Sequence, residues 1–102
     1  MSIDIDVIIK AMVNAAVKAI DASPEIKESI TQVFDNNKAS IAELVDARKS
    51  DEINQEDFDA ELAREKSVLQ AELIGMEIPV KASIQRALNA AIEALTNAVS
   101  QA

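Results

Sequence analysis

The chain has 102 residues, 49% of them apolar, with 18 acids against 10 bases and neither cysteine nor histidine, for a net charge of −8. That length sets a single domain, 1–102, with a real but modest core. The missing thiol and imidazole exclude disulfides, thiolate nucleophiles and histidine as base or ligand, and the acid excess argues against direct nucleic-acid contact, which needs Lys and Arg facing phosphates.

The apolar mass is Ala, Ile, Leu and Val, with Phe34 and Phe58 as the only aromatics, one Gly and two Pro. Strands favour aromatic and β-branched residues together with turn formers, whereas Ala is the best helix former. The fold class expected is all-α: an antiparallel bundle of about four amphipathic helices, completed either within one chain or by dimerisation.

The first helix is expected over 4–21. Asp6, Lys10, Asn14 and Lys18 form one polar stripe at spacing four, and apolar residues cover most of the remaining circumference. A helix that apolar is central in a bundle, shared with a second subunit, or laid on a membrane surface, where Lys and Arg would normally be richer. Ser23-Pro24-Glu25 then reads as an N-cap, a first-turn Pro and an acid at the positive end of the dipole. They open a second helix expected over 24–47. Asn37 falls inside its apolar stripe, either as a register-setting polar contact or, more commonly for such a residue, at a boundary touching water.

Arg48 and Lys49 suit a helix C-terminus. Asn54 followed by Asp57 resembles a capping box, with Ile53 and Phe58 as the staple pair, and starts a third helix expected over 55–74. Gly75 is expected to supply a left-handed cap and Pro79 to start a fourth helix over 79–99. In that last helix Ile84, Leu88, Ala91, Leu95, Ala98 and Ala102 form a heptad seam that its repeated Ala makes close-packed, with the small residues Ala87, Ala90 and Ala94 beside it. The first and last helices are Ala-rich and poor in charge, so they are expected to pack together, within one subunit or across a dimer.

The segment from Ile41 through Leu69, with Ile41-Ala42-Glu43-Leu44, then Glu52-Ile53-Asn54-Gln55-Glu56-Asp57-Phe58, then Lys66 and Leu69, resembles the SHOCT-type helical hairpin. That resemblance covers under a third of the chain and lacks the usual turn glycine. It implies an accessory module associated with oligomerisation or regulation.

Chemistry finds little footing. Asp46 to Asp57 has the length of an EF-hand loop, but Arg48 takes a ligand position, Asp51 replaces the turn glycine and Asp57 replaces the reaching Glu. Paired acids four apart on one helix do not face each other across a cleft as glycosidase carboxylates do. Without histidine there is no Glu-x-x-His pair for a di-iron bundle, and no Gly-rich phosphate cradle or nucleophile elbow is present. No enzyme activity, catalytic residue, metal or cofactor is expected. Asp4 and Asp6 are unlike the basic start of a signal peptide, and no apolar run approaches the roughly 20 residues of a membrane span. The expected compartment is therefore the cytoplasm.

Two interaction readings follow. One is a self-associating, non-enzymatic module, dimer favoured, using Ile5, Ile9, Met12, Val13, Ala16 and Ile20 with Ile84, Leu88, Ala91, Leu95 and Ala98. The other is an acidic decoy or inhibitor of a basic, nucleic-acid-binding protein, of phage or mobile-element type. Residues 51–77 hold nine acids against two bases, and Glu56, Asp59, Glu61, Glu65 and Glu72 would form its face, steering a basic partner.

Overall fold

The structure is a computed structural model and describes residues 4–76 and 81–101. Those residues are almost wholly helical: α1 (Ile5–Ile20), α2 (Pro24–Asn36), α3 (Lys38–Lys49), α4 (Gln55–Gly75) and α5 (Lys81–Gln101). No strand occurs among them.

Local chemistry sets the helix starts. The Asp6 N–H donates to the Asp4 carboxylate at 3.0 Å, the Ile26 N–H to Ser23 Oγ at 3.3 Å and the Asp57 N–H to Asn54 Oδ1 at 2.8 Å. Each bond satisfies a donor that has no partner within its helix. Ile53 packs half-buried against the core, into which Phe58 is fully drawn. Replacing Asn54 by Ala is expected to cost about 1 kcal/mol, read as a lower urea midpoint with unchanged slope.

The second expected helix is not continuous. It breaks at Asn37, whose backbone (φ −106°, ψ 8°) leaves the helical region and separates α2 from α3. Asn37 Nδ2 donates to the Val33 carbonyl at 2.8 Å, the acceptor that its own backbone N–H would use in a regular helix. The N–H turns instead to Phe34 O at 3.1 Å, and the Ile41 N–H restarts the ladder on Asn37 O. The side chain is 9% exposed, not a boundary group in water. It also donates to Glu72 Oε2 on α4 at 2.6 Å.

Two further expectations change. Gly75 is the last residue of α4 and has no positive φ; the helix ends instead on Met76, whose N–H reaches Leu73 O at 3.1 Å. Left-handed residues instead follow α1, at Asp21 (φ 49°), beside which the Ala22 N–H closes onto Val17 O at 3.0 Å, and α3, at Asp51 (φ 61°), beside which the Glu52 N–H closes onto Ala47 O at 2.9 Å. Pro79, expected to open the last helix, lies outside the described residues.

The polar contacts between helices establish their order in space. Lys38, at the start of α3, pairs with Asp6 at the start of α1. Asn37 meets Glu72 near the end of α4, Lys66 donates to Asn89 Oδ1 at 2.6 Å, and Lys49 donates to Val99 O at 3.5 Å. Thus α1, α3 and α5 begin at the end of the molecule where α2 and α4 finish. α1 and α5 consequently run side by side in the same direction and make the most extensive helix contact in the fold. Around that pair one continuous core gathers Phe34 from α2, Ile41 and Val45 from α3, and Phe58, Leu62, Leu69 and Leu73 from α4.

Candidate interaction surfaces

The expected self-association residues come together, inside one chain. Ile9, Met12, Val13 and Ala16 of α1 are buried, as are Ile84, Leu88, Ala91 and Leu95 of α5; Ile5, Ile20 and Ala98 are half-buried against the same core. With Ala16, Ala87 and Ala91 in the contact, the two backbones can approach closely. This face is therefore occupied by the chain's own helices. A dimer built through it would have to open the α1–α5 pair.

Turning α1 and α5 toward each other leaves an opposite, outer side. On α1 it carries Val7, which is 63% exposed, with exposed Ala11, Lys18 and Ala19. A shallow groove of about 330 Å³ runs between the helices, bordered by Ala15, Lys18 and Ala19 on one side and Ala90, Glu93, Ala94 and Asn97 on the other. Of the polar stripe read along α1, Asp6, Lys10 and Asn14 instead line a second groove, against Lys27, Thr31 and Asp35 of α2. Only Lys18 of that stripe stands on the α5 side. The alanines flanking the α5 seam are a signal for this surface, but α1 is apolar over so much of its circumference that periodicity does not separate its outer stripe of Val7, Ala11, Ala15 and Ala19 from the residues packed on α5.

The five acids of α4 do not share one face. At 3.6 residues per turn Glu61, Glu65 and Glu72 follow one edge of the helix, whereas Glu56 and Asp59, three apart, lie toward the other. Several are engaged: Asp59 accepts from Gln55 Nε2 at 2.8 Å, Glu61 pairs with Arg64 at 3.5 Å, and Glu72 holds Asn37.

Glu65 is the strained member. Its Oε1 is out of reach of solvent and has no hydrogen-bond partner among the described residues. Desolvation first, and then the Glu72 carboxylate, push its carboxyl above the ordinary glutamate value. An acid with a raised folded-state pKa destabilises the fold when ionised. That cost is present above its folded pKa and disappears as pH falls toward the unfolded value. Glu65→Gln is therefore expected to stabilise the chain at pH 7 by about 0.5 kcal/mol, discounted for solvent screening. The gain should vanish below the ordinary glutamate range. Thermal melts of both proteins at pH 7 and at acid pH check the sign.

No protein-family model, curated protein or solved structure matches this chain. The likeness of the segment 41–69 to the SHOCT-type hairpin therefore gains no support, although the segment does fold as a helix, turn and helix through α3 and α4.

Proposed function

We propose that this chain is a non-enzymatic, acidic helical interaction module that associates with itself, as a homodimer, in the cytoplasm. The supporting observation is the separation of charge between helices. Within their spans α1 and α5 carry two acids (Asp6, Glu93) and four bases (Lys10, Lys18, Lys81, Arg86), net +2. The rest of the chain carries sixteen acids and six bases, net −10. Two copies of a chain charged −8 repel at most orientations, and a surface from which the acids have been cleared is where they can meet.

The decoy reading has weaker support. A decoy needs acids presented together on one surface, and those of α4 are divided between its edges, with Glu72 bound to Asn37 and Glu65 partly buried.

Self-association makes stability depend on concentration, because a partner that binds only the folded chain raises the melting temperature by mass action. The thermal midpoint is expected to rise as the protein is concentrated and to fall on dilution. A midpoint constant over a hundredfold range, with the mass of one chain throughout, would remove the proposal.

A further inference from the structure

Resting on the self-association reading, we propose that the outer face of the α1–α5 pair is the dimer contact, on which a second copy lies across the groove about a two-fold axis running along it, setting Lys18 against Glu93 of the second copy.

Small side chains do not by themselves name a partner; here the charges do. Lys18 and Glu93 border the same groove from opposite helices. Both are exposed, and neither has an ion-pair partner among the described residues. α1 and α5 run in the same direction, and Lys18 and Glu93 lie within the stretches 15–19 and 90–97 that border the groove from either side, so the two residues stand near one level along it. A two-fold axis along the groove places α5 of the second copy over α1, and so brings each Lys18 to a Glu93 twice over. The same rotation lays Ala15 and Ala19 against Ala90 and Ala94, flat surface on flat surface. Closed two-fold dimers are the commonest homo-oligomers, and they require this kind of self-complementarity.

The exposed Val7 extends the uncharged surface toward the start of α1. Arg86, the other charge on this side of α5, is turned to Ser83 Oγ at 3.4 Å. The molecule measures 39 × 23 × 19 Å, so two adjacent helices offer roughly 500 Å² per copy, at the low end for a specific contact. A dimer of that size dissociates on dilution.

Sedimentation equilibrium on the full chain tests the arrangement. Wild type is expected to pass from monomer to dimer with concentration. Lys18→Glu and Glu93→Lys should each weaken the dimer about tenfold by setting like charges together twice, and the double variant should recover most of the loss. Ala19→Arg, at an exposed position, should abolish the dimer with helix content unchanged. A dimer that survives all of these substitutions leaves self-association standing but overturns this face. Mass that grows without limit contradicts the two-fold arrangement, and a monomer at every concentration overturns both proposals, leaving the face to a different partner or to water.

Discussion

Ala91→Leu is expected to lower the stability of the chain by about 3 kcal/mol, a loss of roughly 15 °C in the thermal midpoint for a domain of this size. Ala91 is 0% exposed, on α5, with its neighbour Leu88 equally buried and Ala16 of α1 1% exposed. In a close-packed core the added isopropyl group must push α1 and α5 apart or force neighbouring side chains from their rotamers. Ala19→Leu, the same kind of change on the outer side of α1, is expected to move stability by less than about 0.5 kcal/mol at concentrations where the chain is monomeric. The contrast separates two views of the apolar seam. If Ala91 belongs to the core of one chain, the loss is the same at every protein concentration. If the seam were a subunit contact, Ala91→Leu would instead lower the mass in solution, and its effect on melting would shrink on dilution.

Asn37→Ala is expected to cost about 2 kcal/mol. The substitution removes both Nδ2 bonds at once, leaving the Val33 carbonyl without its acquired donor and the Glu72 carboxylate part-buried without one. Ala is the better helix former, so propensity alone would stabilise a straightened helix through this position. The sign of the measured change therefore decides which effect wins. A net loss in chemical denaturation, with unchanged far-ultraviolet dichroism, supports a junction held by the Asn37–Glu72 bond. A net gain would mean that packing alone imposes the bend. In a double-mutant cycle with Glu72→Ala the two losses should not add, since the second substitution removes a bond already broken by the first.

These two sites also mark how far the sequence could be read. The all-helical class was legible from composition, and the caps at Ser23 and Asn54 were legible because a capping side chain and the N–H it accepts lie within three residues. The break at Asn37 was not legible in that way. Part of its cause is Glu72, 35 positions away, so the local pattern still reads as one amphipathic helix. A polar residue inside an apolar stripe was the available sign. The end of α4 misled for the opposite reason: Gly75 has the composition of a left-handed cap, but the chain there stays right-handed, and that conformation falls to Asp21 and Asp51.

For the interaction surface, periodicity located apolar residues without saying which of them would face another helix of the same chain. α1 is apolar on nearly all sides but one. Only the placement of α2 and α5 beside it shows that Ile9, Met12 and Ala16 are consumed in the core, while Val7, Ala11 and Ala19 stay outside. The acids of α4 were similarly countable but not assignable, because a helix with charges on several sides has no single acidic face until its neighbours are in place.

The most direct measurement is the molar mass in solution of wild type and of Ala19→Arg, by light scattering after size exclusion over the same wide range of loading concentrations. Wild type is expected to approach twice the chain mass at the upper end while Ala19→Arg stays at one chain throughout, both with the same helix content. One chain mass for both proteins at every concentration would contradict this expectation.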